Sequence, residues 1–170
     1  MKTFILVFFI SAVLSACSFN QTENSRKNAE VSEINIKLSL AYLTQAHDAL
    51  RAKQKLLLAQ QQAPDDPAVW YVTGYFLETI GELFAAERAY LHAIKLAPKR
   101  GAAHNNYGVF LCKHGRYTQS IQQFLLAVND PDYLAVTSAY KNAAQCALKI
   151  PDSVLANKYF QLAGAINSNI

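Results

Sequence analysis

The chain has 170 residues, a net charge of +4 and a composition that is 52% hydrophobic and 16% charged. This size suits one domain with a single elongated core. The positive side chains are scattered, whereas nucleic-acid binding needs a clustered basic face, so we expect no nucleic-acid partner. The net charge supports only a mild attraction to anionic lipid headgroups or acidic partners.

Residues 1–16 have the layout of a secretory signal peptide. A positive second residue precedes an apolar run that ends at Leu14, and two small residues follow. The run is too short to span a bilayer comfortably. Residues 14–17, with the sequence LSAC, resemble a bacterial lipobox, in which the peptide is cut before the cysteine and the cysteine then carries fatty acyl chains. We therefore expect Cys17 to be lipidated; the alternative is an ordinary cleaved signal with a chance cysteine.

The segment after the signal is polar. Ser18 stands where an aspartate would resemble an inner-membrane retention signal, so the outer membrane is favoured. Residues 17–32 hold too little apolar surface to offset the entropy of ordering them. We interpret them as the lipidated cysteine followed by a polar tether that holds the domain near the membrane.

A block at residues 67–98 recurs 34 residues further along the chain, where Gly108 matches Gly74 and Gly115 matches Gly81. A fixed period of this length predicts a stack of helical hairpins. Such stacks work by binding, so the candidate function lies in surfaces.

The block resembles the tetratricopeptide pattern. The matching positions are Trp70, Gly74, Leu77, Gly81, Ala86, Tyr90, Ala93 and Pro98. Further units align at residues 33–64, with one extra residue in the turn near residues 45–49, and at 101–133 and 137–170. We therefore predict an all-α fold, an α-solenoid of about four tetratricopeptide helix pairs spanning residues 33–170.

In tetratricopeptide stacks the first helix of each pair lines the concave face, and this resemblance implies a partner-binding groove. The positions that it implies are Ile36, Leu40, Leu43, Tyr71, Tyr75, Glu78, Asn105, Val109 and Lys113. The groove would be apolar and aromatic in its first half and polar in its second half, which suits an amphipathic helix or an extended peptide. The alternative that Leu40 and Tyr75 only pack between repeats stays open. So does the role of Asn105 and Asn106, which either bond across repeats or contact the partner.

Cys112 and Cys146 fall inside predicted helices, and we expect buried, unpaired thiols, with a disulfide as the alternative. Residues 112–114 lack the paired spacing of a zinc site, so no metal is predicted. The sequence contains no nucleophile elbow, no H-E-x-x-H and no phosphate-binding glycine loop. We expect no catalytic activity, no cofactor and no small-molecule substrate.

Together with the lipobox, the tether and the repeats, three stretches resemble the type IV pilus biogenesis lipoproteins, the tetratricopeptide pilotins of Gram-negative bacteria. They are residues 104–112 (HNNYGVFLC), 38–42 (LSLAY) and 66–74. The resemblance implies a monomeric, lipid-anchored outer-membrane protein that faces the periplasm. It also implies that secretin subunits are the partner, and that the protein assists their localisation and assembly. The alternative is a tetratricopeptide scaffold subunit of another outer-membrane assembly complex.

Two residues depart from this family pattern. Ser39 stands where a small glycine is expected, and His104 stands where the family usually has an aliphatic residue. These departures bear on the detail of the groove rather than on the class of protein.

Overall fold

The structure is a computed structural model that describes residues 2–150 and 153–167, with side chains for residues 23–150 and 153–166. The described residues form eight α-helices and no strand. The helices are α1 (Lys2–Thr44), α2 (Ala49–Gln62), α3 (Pro67–Thr79), α4 (Leu83–Leu96), α5 (Gly101–Lys113), α6 (Tyr117–Val128), α7 (Val136–Ala147) and α8 (Ser153–Asn167). They pack as four consecutive pairs, so the predicted all-α solenoid of helix pairs is confirmed.

The first helices of the pairs lie on the inside of the stack. Helices α1, α3, α5 and α7 contact one another in succession. Among the described residues, each second helix contacts only first helices, and no second helix contacts another. The first helices therefore form an inner surface, and the second helices form an outer surface.

Close approach within the pairs depends on two buried glycines. A Cβ built on Gly74 would lie 2.9 Å from the ring of Tyr90, and one on Gly108 would lie 2.7 Å from the ring of Phe124. Both rings are almost fully buried. Each aromatic ring of a second helix thus rests directly on the backbone of its first helix, where a methyl group would have no room.

Serine hydroxyls support the same crossing in two repeats. The buried Ser39 of α1 donates a hydrogen bond to the carbonyl oxygen of Ala52 at 2.9 Å. In α6, Ser120 donates to the carbonyl oxygen of Gly108 at 2.7 Å. Ser39 is tolerated in place of the expected glycine, and Ser120 is tolerated opposite Gly108, because each hydroxyl finds a backbone acceptor on the paired helix.

The turns inside the first three pairs contain a residue with positive φ at the same repeat position. These residues are His47 (φ 51°), Gly81 (φ 86°) and Gly115 (φ 79°). Glycine suits this left-handed conformation, because it has no Cβ to clash. Residues 45–48 separate α1 from α2, whereas residues 80–82 separate α3 from α4, so the first turn is one residue longer, as the sequence predicts.

Helix α1 extends beyond the stack towards the N-terminus. Side chains from Glu23 to Val31 are exposed, and Ser32 is the first buried residue. Composition predicts a tether at residues 17–32, but this segment is helical. It contains no glycine or proline, and the Lys27–Glu23 pair at 2.9 Å supports one helical turn.

Some predicted features lie outside the described side chains. These are the signal residues 1–16, Cys17 of the lipobox, and residues 168–170 at the polar C-terminal end. Lipidation of Cys17 accordingly stays a prediction.

Cys112 and Cys146 are joined by a disulfide, with Cα atoms 5.8 Å apart, so the expectation of unpaired thiols is wrong. The two cysteines are 34 residues apart, which is one repeat. They therefore occupy equivalent positions on α5 and α7, two first helices that contact each other. This placement satisfies the distance that a disulfide requires.

Candidate functional site

The inner surface carries the residues that sequence reasoning assigned to a partner-binding groove, and we call the part open to solvent the inner groove. The predicted residues lie on three successive first helices: Ile36, Leu40 and Leu43 on α1, Tyr71, Tyr75 and Glu78 on α3, and Asn105, Val109 and Lys113 on α5. The structure thus places all nine on first helices, although Ile36 and Leu43 are buried in the core. The burial and contacts of the individual side chains differ, and these differences determine which side chains a partner can reach.

The α1 section of the inner groove is mostly core. Ile36 is 7% exposed and Leu43 is 6% exposed, and both pack with Val69 and Val72 of α3. Leu40 is half-buried against the same cluster. Among the three predicted residues of α1, Leu40 therefore offers a partner the most surface.

Two tyrosines of α3 form the aromatic centre of the inner groove. Tyr71 and Tyr75 are half-buried and pack against the core clusters of both the first and the second repeat. Burial raises the pKa of the Tyr71 hydroxyl, while the nearby Arg100 acts in the opposite direction. The ammonium of Lys113 lies 5.8 Å from the centre of the Tyr75 ring, within the range of a cation–π contact. Both rings pack between repeats and still present an edge to the inner groove.

Glu78 is engaged by three side chains from other helices and turns. The Tyr90 hydroxyl donates to its Oε2 at 3.1 Å, and Lys113 Nζ lies 3.2 Å from its Oε1. His114 Nε2 lies 3.6 Å from the same oxygen, and the Glu78 side chain is only 9% exposed. Burial, reinforced by Glu78, raises the pKa of Tyr90. Glu78 thus links the second repeat to the third, and its carboxylate is already occupied within the chain.

The two adjacent asparagines of α5 have partners within the chain. Asn142 Nδ2 of α7 donates to Asn105 Oδ1 at 3.0 Å, and Asn106 Nδ2 donates to the carbonyl oxygen of Ala102 at 2.8 Å. The first bond crosses from one repeat to the next. Asn105 therefore makes a bond across repeats, as one of the two interpretations from the sequence has it, whereas the bond of Asn106 stays within α5.

An open pocket of about 470 Å³ lies in the second half of the inner groove. Val109, Lys113 and Gln145 line it, next to the Cys112–Cys146 disulfide, and Lys149 lies at its edge. No carboxylate is among its lining residues. The second half of the inner groove therefore contains a concave feature lined by polar and positively charged side chains together with Val109.

Sequence reasoning missed a polar network that joins the second and third repeats. The Tyr107 hydroxyl donates to Glu87 Oε1 at 2.7 Å, and Arg116 Nη1 donates to the same oxygen. Burial raises the pKa of Tyr107 to about 12, with Glu87 adding to the effect. Partial burial also raises the pKa of Glu87, but the bonds from Tyr107 and Arg116 outweigh it and hold that pKa below its ordinary value. The only indication of this network in the sequence was the carboxylate of Glu87, about one helical turn after the start of α4.

His104 replaces a tryptophan without loss of a hydrogen bond. In the second repeat, Trp70 Nε1 donates to the carbonyl oxygen of Pro64 at 2.6 Å. One repeat later, His104 Nε2 lies 2.8 Å from the carbonyl oxygen of Pro98, to which it must donate because a carbonyl only accepts. His104 is buried, so the histidine that stands where the family usually has an aliphatic residue repeats the contact of Trp70 and does not reach the inner groove.

Within residues 23–150 and 153–166, no group of three or more His, Cys, Asp or Glu side chains is placed to hold a metal ion. Over the part of the chain that the structure describes, no helix has the length and apolar character needed to cross a membrane.

The sequence is similar to a repeat family and to two known proteins, one of which is a pilus assembly protein. A tetratricopeptide-repeat family model matches residues 89–122. An uncharacterised protein of Haemophilus influenzae is 33% identical over 135 residues, which cover 79% of this chain and 74% of that protein. The type IV pilus assembly protein PilF of Pseudomonas aeruginosa is 26% identical over 168 residues, covering 96% of this chain and 66% of that protein.

Solved structures give the same result for the fold. The Pseudomonas aeruginosa PilF structure matches with a TM-score of 0.76 at 26% identity, over 85% of this chain and 64% of that chain. PilW, a widely conserved type IV pilus biogenesis factor, matches with a TM-score of 0.72 at 26% identity, over 81% of this chain and 62% of that chain. MamA matches at 17% identity with a TM-score of 0.59, covering 90% of this chain and 94% of that chain, which shows the fold alone. The chain thus spans slightly less than two thirds of the length of PilF and PilW.

The Glu87 network predicts a pH dependence of stability. Because the pKa of Glu87 is lower in the folded chain, its contribution is present above the unfolded pKa and is lost as the pH falls through the folded pKa. Glu87→Gln should cost about 1 kcal/mol near neutral pH, since the site is partly exposed, and much less in acid.

Urea unfolding of the variant and its parent, from neutral to acidic pH, measures this difference. Arg116→Met is the matched control, because Glu87→Gln should cost less in that background. A penalty that is equal at neutral and acidic pH would contradict the assignment.

Proposed function

We propose that this chain, which belongs to the tetratricopeptide-repeat family and is homologous to the type IV pilus assembly proteins PilF and PilW, binds a protein partner in its inner groove during pilus assembly. The observation that carries the proposal is the pair of half-buried tyrosines, Tyr71 and Tyr75, at the centre of the inner surface of a chain with these relatives. Apolar and aromatic side chains at the centre of a concave surface are typical anchors for a bound segment.

The partner in this proposal is the subunit of the type IV pilus secretin, and the role is that of a pilotin. The resemblance of residues 104–112 and 38–42 to that lipoprotein class supports this finer role. The groove favours a segment that is apolar where it lies over Tyr71 and Tyr75 and polar where it approaches Lys113 and Lys149. This role needs no cofactor, nucleic acid or small-molecule substrate, and it gives no residue a catalytic part.

The proposal also places the protein at the periplasmic side of the outer membrane. Its support is the sequence pattern that ends in Cys17 and the serine at position 18. Two or more acyl chains give stable anchoring where a single chain does not, so diacylated Cys17 would hold the repeats near the site where a secretin assembles.

The groove role predicts the effect of truncating the two tyrosines. Tyr71→Ala with Tyr75→Ala should abolish secretin multimers in a deletion strain that expresses the variant, and should abolish co-purification of secretin with the full-length protein. Tyr71→Phe with Tyr75→Phe should retain both, because the rings supply the contact surface.

Gln122→Ala, on the exposed side of α6, is the matched control and should behave as the parent does. The melting temperature of each variant separates loss of binding from loss of fold. Normal secretin multimers in the alanine pair, with the protein folded, would refute the groove assignment.

The anchoring role predicts the effect of removing the lipidated thiol. Cys17→Ala should leave the protein out of the outer-membrane fraction after a high-salt wash, which removes charge-dependent contact with lipid. The mass increase from acyl chains seen in the parent should be absent. Fractionation and intact-mass spectrometry measure both properties. A Cys17→Ala protein that stays in that fraction with an unchanged mass would overturn the proposed anchor.

A further inference from the structure

The outer surface of the first two repeats exposes apolar side chains that the inner groove does not use. Leu50 of α2 is 69% exposed, and Phe84 of α4 is 87% exposed. Both are the second residue of their helix, so they occupy equivalent positions one repeat apart. Leu57 and Leu91, seven residues further along each helix, are also exposed. Residues spaced by seven lie on one side of a helix, so the four side chains form two parallel apolar rows.

Basic side chains lie among these rows. Lys53 on α2, and Arg88 and Lys95 on α4, are exposed, and among the described residues none of the three has a carboxylate partner. Helix α2 contains no acidic residue. The one acidic residue of α4, Glu87, is held by Tyr107 and Arg116.

Two carboxylates flank the face: Asp48, which caps α2 and pairs with Arg51, and the exposed Glu82, which precedes α4. Basic side chains still outnumber them, so the face combines protruding apolar groups with an excess of positive charge.

The combination is interrupted at the third repeat. Thr118 stands at the position equivalent to Leu50 and Phe84, and Gln122 stands at the position equivalent to Arg88. Helix α6 contains neither a lysine nor an arginine.

Helix α8 again carries an exposed apolar second residue, Val154, and an exposed Lys158 four residues later, so among the described second helices the combination is absent from the third repeat alone. Its strongest form is on α2 and α4, where two successive second helices carry it.

The shape of the face distinguishes between possible occupants. It belongs to the outer surface, since the second helices contact only first helices among the described residues. Leu50, Phe84 and Leu91 protrude as separate exposed side chains. Lys53 and Leu57 also line a pocket of about 170 Å³ with Phe76 and Leu77 of α3, which is too small to hold a peptide segment. A bilayer interface accepts separate inserted apolar side chains while neighbouring lysines and arginines stay level with the phosphates.

We infer that this outer face, defined by Leu50, Lys53, Leu57, Phe84, Arg88 and Leu91, docks on a membrane surface that is rich in anionic phospholipid. Phe84 and Leu50 enter the interface, and Lys53 and Arg88 attract the lipid phosphates. The docked chain presents its inner groove away from the lipid, so membrane contact and partner binding use opposite sides. The inference is independent of Cys17 lipidation and of the identity of the groove partner.

The test measures membrane contact at one residue of the full chain. A Cys17→Ser chain carries an environment-sensitive fluorophore at Phe84→Cys, and its matched control carries the same label at Thr118→Cys. Cys112 and Cys146 are bonded and do not take the label. The probes are vesicles of phosphatidylcholine alone and of phosphatidylcholine mixed with phosphatidylglycerol, each with and without brominated lipid.

The label at position 84 should shift to shorter emission wavelength and be quenched by brominated lipid on anionic vesicles only, and the label at position 118 should do neither. Adding Lys53→Gln and Arg88→Gln should lower the ratio of docked to free label about 25-fold, or about fivefold for each charge removed. Lys53→Arg with Arg88→Lys keeps both charges and should retain docking.

Several results would overturn the inference. Equal quenching at positions 84 and 118 would mean that the chain merely lies near the membrane through its N-terminal segment. An unquenched label at position 84 on anionic vesicles would exclude this mode of docking. So would quenching that stays the same when Lys53 and Arg88 are replaced by glutamine. Protection of the label by a purified acidic protein but not by anionic vesicles would assign the face to a protein partner.

Discussion

The architecture depends on the contact between a glycine backbone in a first helix and an aromatic ring in the paired second helix. Gly74 lies under Tyr90 and Gly108 lies under Phe124, with no room for a methyl group between them. A glycine inside a helix lowers stability by about 1 kcal/mol relative to alanine. The packing that the close approach allows must therefore stabilise the fold by at least that amount. Serine serves the same crossing in the first and third repeats, where its hydroxyl bonds to the backbone of the paired helix.

Close pairing sets which residues face each other between repeats. With the second helices on the outside, first helices meet one another, and they carry the cross-repeat contacts of Glu78, Asn105 and the Cys112–Cys146 disulfide. These contacts fix the inner surface while leaving the edges of Tyr71 and Tyr75 accessible. Few residues of the outer surface take part in contacts between repeats, so its exposed residues can differ from one repeat to the next. One fold thereby separates the proposed partner-binding surface from an outer face of different chemistry.

Much of this arrangement could be predicted from the sequence because small residues and turn glycines recur with a fixed period. Close packing of the paired helix backbones requires small residues at these positions, so the spacing of small residues in the sequence reveals the period. The period also implied the disulfide, since it places Cys112 and Cys146 at equivalent positions, but considering each cysteine alone led to the wrong prediction. The surroundings of Glu78 and Glu87 could not be predicted, because each depends on which side chains from other elements reach the carboxylate. The tether was mispredicted as non-helical because polar composition alone does not prevent a helix from continuing.

A double-mutant cycle between Gly108→Ala and Phe124→Leu tests the glycine–aromatic contact most directly, with urea unfolding as the measurement. Gly108→Ala alone should cost about 1–3 kcal/mol from overpacking. In the Phe124→Leu background the same change should cost at least about 1 kcal/mol less, because the smaller side chain vacates the space that the methyl group enters. Gly164→Ala, whose added Cβ would meet nothing within 4 Å, is the control and should be additive with Phe124→Leu to within about 0.5 kcal/mol. Additivity of Gly108→Ala with Phe124→Leu would contradict the account.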